Sequence, residues 1–315
     1  TVLEKSGTPG GRCAQILRDG HRFDVGPTIF LMPEVWEETF SVLGEKMSDY
    51  LTLKRIDPTY KVHFADGLQI ELTSNLGEMQ AQLEKVEKNA FQGFLRMMAE
   101  GSKHYNLALQ KFVVRNFYHA FEYFSLVNIP LLFKLKALIT HYANTGFYFK
   151  DERLRALFSF QNMYLGLSPY DAPATYSLLQ YTELAEGIWF PEGGMYRSIQ
   201  ALTAVAEKLG VRFLYNTPVK AINLHGHRVD SVLTEDGRTF SADVYVGNAD
   251  LPYIYKELLP ENDEAKKLEK KKYTSSAIMF YWGVDKTYPQ FNTHNFFLGK
   301  DYKASFDRIF NDHDL

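Results

Sequence analysis

The sequence predicts an α/β fold: a Rossmann-like sheet joined to a mixed sheet that carries a helical subdomain. Three observations predict it. Thr1, Val2 and Leu3 read as the end of a buried parallel strand closed by Glu4, and the glycine-rich turn Pro9-Gly10-Gly11-Arg12 follows. Residues 243–247 read as a second buried strand, ending in the small polar residues Asn248-Ala249-Asp250, where open α/β sheets bind ligands. Between them, residues 60–72 alternate apolar and polar about Asp66-Gly67, the pattern of a tight hairpin.

Each element has its local signal. A carboxylate at the tip of the second strand of a Rossmann unit, here Glu4, can take both hydroxyls of a ribose. Gly10 and Gly11 let backbone approach a phosphate, and Arg12 can pair with it. Residues 33–44 form a helix, with Pro33 in its first turn, Val35, Trp36, Phe40 and Leu43 on one face, and Gly44 at its end. Residues 75–119 read as helical, carrying the stripe Leu76, Met79, Leu83 and Val86 and a softer one of Phe91, Phe94, Leu95, Met97 and Met98; such a stripe is more often core than ligand wall.

Residues 117–149 are dense in Phe, Tyr, Leu and Ile, with Phe124 and Val127 in the run, Pro130 breaking it, and Lys134 and Lys136 beside Leu135. They read equally as a buried helical hairpin or as an interfacial patch with lysines at headgroup level. Asp151 and Glu152 open the next helix, and Leu154, Leu157, Phe158 and Gln161 share a face. Gly193 and Gly194 end the extended segment Gly187-Ile188-Trp189-Phe190-Pro191 and lead into a helix over 196–209. After Gly210, a strand over 210–215 continues through 216–222, and turns at His225-Gly226 and Asp236-Gly237 link strands as far as 246. The charge run 266–272 is a solvated helix face, and 274–284 reads as a strand buried on both faces.

Composition narrows the function. A chain of 315 residues is ample for two domains. Aromatic content of 15% fits a Phe-rich core, and also a tunnel for a long apolar ligand. A net charge of −3 argues against nucleic acid as a partner. The single Cys13 excludes a disulfide framework and fits a reducing compartment. The longest charge-free run, 15 residues over 156–170, is too short to span a bilayer. The histidines are scattered, with no ligand spacing for a metal, and no nucleophile–base arrangement stands out. Nothing in the sequence sets an oligomeric state.

The segments Glu4-Lys5, Pro9-Gly10-Gly11-Arg12 and Phe23-Asp24-x-Gly26-Pro27 together resemble the FAD-binding head of the phytoene desaturase family. Gly187-x-Trp189-x-Pro191-x-Gly193-Gly194-Met195 resembles a second signature of that family, the turn that joins its substrate sheet to its FAD domain. The stretch from Leu154 through Gly166-x-Ser168-Pro169-Tyr170 to Ala174-Thr175-Tyr176-Ser177 resembles its helix and loop before a Tyr-rich segment.

The resemblance implies FAD as cofactor, held by Glu4, Lys5, Gly10, Gly11, Arg12, Gly26, Pro27, Val219 and Asn248. The backbone of Val219 would meet the adenine edge, and Asn248 would pack near the adenosine half. It implies desaturation of a lipophilic isoprenoid polyene, phytoene or a related carotenoid, by a cytoplasmic protein peripherally bound to membrane. The implied FAD-binding domain, incomplete here, covers 1–58 and 186–250; the substrate domain covers 59–185, with the membrane-contacting helical subdomain, and 251–315. The chain begins without Met and holds no G-x-G-x-x-G, so the resemblance implies a first βα unit upstream and a further portion downstream. No catalytic residue is assigned; Glu122 and Asp151 are candidate proton acceptors only. The same head occurs in flavin amine oxidases and protoporphyrinogen oxidases, and a non-redox prenyl-binding chaperone could use the same scaffold.

Overall fold

The structure, a computed structural model, describes residues 1–123, 125–126, 128–271 and 273–312. Phe124 and Val127 of the aromatic run, Lys272 of the charge run and residues 313–315 of the last domain segment lie outside the described residues. The chain forms two discontinuous compact units. One comprises Thr1–Thr28, Glu37–Thr52 and Pro191–Tyr273; the other comprises Ile29–Trp36, Leu53–Phe190 and the chain from Thr274 onward.

In the first unit, Val2–Leu3 pairs in parallel with Phe213–Leu214. The parallel pairing matches the expectation, but the burial does not: Val2 is exposed, because among the described residues this sheet has two strands. A hairpin of Gln15–Arg18 and His21–Asp24 turns at Asp19-Gly20. Val219–His225, Arg228–Thr234 and Thr239–Phe240 form an antiparallel three-stranded sheet. Residues 210–222 are therefore not one strand. Asn216 takes a left-handed φ of 50° and bonds Ser6, and Pro218 has no N–H for a ladder, so the chain leaves one sheet before joining the next.

The strand expected at 243–247 is absent among the described residues; Val244 and Val246 are exposed. Alternating apolar residues make a segment competent for a strand, but only a partner completes the ladder. Here the Tyr245 hydroxyl ties the segment down instead, accepting from Ala242 N at 2.8 Å and donating to Asp230 O at 2.7 Å. The helix Tyr196–Lys208 buries Tyr196, Ser198, Ala201 and Val205; of the stripe Ile199, Leu202, Val205, Ala206 and Leu209 that its spacing predicts, Val205 alone is buried and Leu209 is exposed.

In the second unit the predicted hairpin is present. Tyr60–Phe64 pairs antiparallel with Gln69–Leu72 and in parallel with Asn295–Leu298, giving a mixed sheet with Tyr60–Phe64 at its centre. A two-stranded sheet joins Leu53–Ile56 to Ile188–Pro191. The long helical stretch is two helices. Asn75 caps Leu76–Val86 by accepting from Gly77 N and Glu78 N, and its side-chain Nδ2 donates to Glu78 Oε1. Extended Glu87 and left-handed Asn89, with a φ of 66°, then break the chain before Ala90–Ala108.

Tyr60, Val62, Ile70 and Leu72 from the sheet meet Met79, Leu83, Phe94 and Met97 from these helices and Phe149, Phe158 and Phe160 from beyond. Met79, Leu83, Phe94 and Met97 of the two stripes are therefore core, with Val86, Phe91 and Met98 packed against it, while Leu76 and Leu95 are exposed.

Residues 117–149 are not a buried hairpin. They form the short helices Ala120–Tyr123, Ile129–Lys134 and His141–Thr145. Phe121, Leu126, Phe133 and Leu138 are each 64–85% exposed. No described helix is long and apolar enough to cross a membrane. Residues 274–284 form no strand among the described residues, and Ile278, Phe280 and Trp282 are exposed rather than buried on both faces. The alternation suits a strand, but among the described residues no partner strand lies alongside.

Candidate cofactor site

The first unit gathers the two signature motifs at Asp24. This residue ends a hairpin strand, and its carboxylate accepts from the backbone N–H groups of Met195 at 2.7 Å and Tyr196 at 3.3 Å. It thereby caps the helix Tyr196–Lys208 from a distant point in sequence, where orphan N–H groups and the positive end of the helix dipole favour a carboxylate. The Tyr196 hydroxyl reaches back to Pro9 O at 3.2 Å, which ties the same helix to the Gly10-Gly11 turn.

These approaches leave no room for side chains. A Cβ on Gly194 would lie 2.4 Å from the Asp24 carboxylate, and one on Gly26 would lie 2.0 Å from Arg12 O. The result is a backbone cradle made by two neighbouring segments, 9–12 and 24–26, and a third, 194–196, about 170 residues further along the chain.

The remaining expected residues are placed as follows. Glu4 is half-buried; its carboxylate accepts from Ser6 N at 2.7 Å, and its own backbone bonds Leu214 and Thr217. Val219 lies two residues beyond Thr217, which bonds Glu4, and starts a sheet strand opposite Thr234, so the first strand and residues 217–219 come together. The Lys5 ammonium lies over the Tyr253 ring, 5.9 Å from its centroid. Gly10 and Gly11 both have positive φ; Gly11 is exposed, with open space around it. Pro27 and Asn248 are exposed. Arg12 is exposed and ion-paired with Asp250, which brings the Asn248-Ala249-Asp250 segment to the glycine turn.

The donor set suits an ADP-bearing group: a carboxylate for ribose hydroxyls, a guanidinium for pyrophosphate, and glycine-lined backbone for close approach. Cys13 is held as a thiol, since burial and the negative Asp24 both push its pKa up.

Sequence reasoning missed two features. Nothing in the spacing marks Asp250 as the partner of Arg12. Nor does any local signal mark Asp24 as the cap of the helix Tyr196–Lys208. In the second unit a buried carboxyl also went unnoticed. Glu183 is 1% exposed, and burial pushes its pKa up to about 8, so it is mostly neutral at pH 7. Neither Glu122 nor Asp151 shares such an environment. Glu122 Oε2 accepts from Tyr118 N at 3.0 Å, and Asp151 caps Glu152–Leu157 while pairing with Arg153, which holds it below the usual carboxylate range.

The model of the flavin containing amine oxidoreductase family matches residues 1–288. The chain is 46% identical over 310 residues to a zeta-carotene-forming phytoene desaturase of Myxococcus xanthus, covering 98% of this chain and 60% of the relative. It is 44% identical over 320 residues to a phytoene desaturase of Phycomyces blakesleeanus, covering 100% and 55%. A phytoene desaturase of Cercospora nicotianae is 42% identical, with 99% and 51% covered. The chain thus spans between 51% and 60% of the length of these curated relatives.

Among solved structures, a protein of Pyrococcus furiosus superposes with a TM-score of 0.54 at 16% identity, covering 86% of this chain and 59% of the other. A redesigned putrescine oxidase gives 0.53 at 16%, covering 85% and 57%. These likenesses establish the fold, a mixture of sheets and helices shared with flavin amine oxidases. The match over residues 1–288 places the chain in the flavin containing amine oxidoreductase family.

Proposed function

We propose that the chain belongs to an FAD-dependent oxidoreductase that removes hydrogens from CH–CH units of a long isoprenoid polyene of the phytoene type. The observation that carries this reading is the backbone cradle at Gly10, Gly26 and Gly194, closed by Asp24 and flanked by Arg12, in a chain whose relatives are named phytoene desaturases.

In this reading the Glu4 carboxylate takes both ribose hydroxyls and Arg12 neutralises the pyrophosphate, with Lys5 adding positive charge nearby. The backbone of Val219 meets the adenine, and Asn248 packs near the adenosine half. Gly10 and Gly11 admit the phosphates, and Gly26-Pro27 lies toward the flavin ring. Residues 1–58 and 186–250 supply the cofactor half of the protein, and 59–185 and 251–315 the substrate half. A bound flavin supplies a hydride acceptor. The protein's own work is to bind it, to place the polyene and to keep the reacting carbons dry.

An absorbance spectrum of the purified protein, together with assay of a phytoene-like substrate in liposomes, tests the reading. A flavin band with a gain of conjugated double bonds supports it. Oxidation of an amine instead, or prenyl binding without flavin, overturns it. Arg12→Ala is expected to weaken FAD retention about tenfold or more, by loss of a charge-assisted contact to phosphate. Asp250→Asn, which frees Arg12, should leave retention unchanged or tighter. Flavin stoichiometry after gel filtration checks both, and unchanged binding in Arg12→Ala removes that residue from the site.

The substrate's insolubility calls for contact with a membrane surface. Exposed Phe121, Leu126, Phe133 and Leu138, set among Lys111, Arg115 and Lys134, have the composition of an interfacial patch. Phe121→Glu with Leu126→Glu is expected to lower co-sedimentation with anionic liposomes several-fold. Equal sedimentation would contradict the membrane contact.

A further inference from the structure

In the second unit, residues 109–136 leave the helix Ala90–Ala108 through the widened turn Leu109–Val113 and return to the same helix at Lys136. Such π-turns are found mostly at functional sites. Between the two ends, Phe121 and Phe133 sit on helices of four and six residues, Ala120–Tyr123 and Ile129–Lys134. Helices this short do not hold by themselves, so tertiary anchors must place them.

The anchors lie at three consecutive residues. The carbonyl of Lys134 accepts from the His104 ring at 3.1 Å, and the carbonyl of Leu135 accepts from Thr175 Oγ1 at 2.9 Å. A carbonyl only accepts, so His104 carries its proton on Nε2, and its Nδ1 accepts from Ser177 Oγ at 2.7 Å. Burial pushes the His104 pKa down and keeps this ring neutral. The Leu135 side chain is itself buried.

Lys136 completes the set. Among the lysines expected at headgroup level, this one turns inward. Its Nζ pairs with Glu100 of the helix Ala90–Ala108 and donates to Asn144 Oδ1 at 2.9 Å, while Asn144 Nδ2 donates to Glu100 Oε1 at 2.8 Å. The ammonium also lies over the rings of Phe147 and Tyr148, 5.2 and 5.6 Å from their centroids. Burial would raise the Glu100 pKa, but bonds from Lys136, Asn144 and Tyr148 outweigh it and hold the acid below its ordinary value. The backbone at Lys136 gives no reason for a lysine. It stands at a φ of 52°, where helices usually end on glycine, with its own N–H on Phe133 O and the Ala137 N–H on Leu132 O. Glycine would make this turn without strain; lysine adds the ion pair.

We propose that Lys136 and Glu100 form a clamp that positions the exposed apolar segment 117–135 for contact with a lipid surface. The proposal rests on the membrane-contact reading and deepens it. The cations left to face lipid headgroups are Lys111, Arg115 and Lys134, all exposed, and Lys136 contributes no charge to the contact. Phe121, Leu126 and Phe133 insert at least cost when their turns are already held in place. Without the clamp, binding must also order them.

The test measures co-sedimentation of the purified protein with phosphatidylcholine vesicles of low and high phosphatidylglycerol content. It compares the wild type with Glu100→Gln and Lys136→Met. The clamp predicts that both variants bind several-fold more weakly, by the same factor on both kinds of vesicle. Amide hydrogen exchange over 129–136 should become about tenfold faster or more, while the strand Tyr60–Phe64 keeps its protection. A lysine in contact with headgroups predicts other signs: Lys136→Met would lose binding mainly on the more anionic vesicles, and Glu100→Gln, by removing a negative charge, would bind them more tightly. That pattern overturns the clamp.

Folded variants with lower thermal stability but wild-type sedimentation would make the pair an ordinary structural ion pair, and also overturn the proposal. Should Lys136→Met fail to fold, Glu100→Gln decides alone, because it keeps the shape of the side chain and an acceptor for Lys136. A wild type that binds neither kind of vesicle overturns the membrane-contact reading, and the clamp's role with it.

Discussion

Gly26→Ala is expected to destabilise the first unit by about 3–5 kcal/mol, near the upper end for a single substitution. Two effects add. Gly26 stands at a φ of 91°, where an L side chain costs on the order of 1–2 kcal/mol. The added Cβ would also sit 2.0 Å from the Arg12 carbonyl oxygen, and that neighbour is backbone, which cannot swing aside. Relief requires moving either the glycine-rich turn or the end of the hairpin whose Asp24 caps the helix Tyr196–Lys208. Thermal unfolding should show a large drop in midpoint together with loss of bound flavin. A shift of only a few tenths of a kcal/mol would mean that the 12–26 contact is not held as described.

Gly93→Ala is the second large effect, and here two terms have opposite sign. Gly93 is inside the helix Ala90–Ala108, where alanine is favoured over glycine by about 1 kcal/mol. Its Cβ, however, would lie 2.3 Å from Tyr148 O and 3.4 Å from the Phe149 ring. Phe149 is 1% exposed and stacks on Phe158 with a centroid distance of 4.9 Å, so the 148–149 segment is anchored in the core. Overpacking against such a fixed neighbour costs about 1–3 kcal/mol and exceeds the helical gain when backbone itself must move. The expected result is a net loss of up to about 2 kcal/mol in thermal or denaturant unfolding. A gain in stability would show that propensity wins and that the helix is free of the Tyr148 carbonyl.

How much of this was legible in the sequence depended on whether a segment carries its own partner. The hairpin about Asp66-Gly67 does: its two strands are neighbours, and the turn residue has the positive φ that its chemistry predicts. The helix caps at Asn75 and Asp151 are equally local. Residues 243–247 and 274–284 carry the alternation of strands, but alternation says nothing about what lies alongside, and both are exposed here.

The same division holds for the site. Gly10, Gly26 and Arg12 were readable because their residue types are rare solutions to a close approach. The partners that hold them, Asp24 for the Met195 amide and Asp250 for Arg12, are ordinary carboxylates whose role exists only in three dimensions. Glu183 was invisible for the same reason: a glutamate between Thr182 and Leu184 gives no local sign of being buried.

The account stands on adenosine diphosphate lying against the amino-terminal cradle. A crystal structure of the purified protein grown with FAD tests this most directly. The account predicts both ribose hydroxyls on the Glu4 carboxylate and the pyrophosphate at Arg12, with Asp250 displaced from it. A nucleotide bound elsewhere, with Glu4 facing bulk water and the Arg12–Asp250 pair intact, would contradict it.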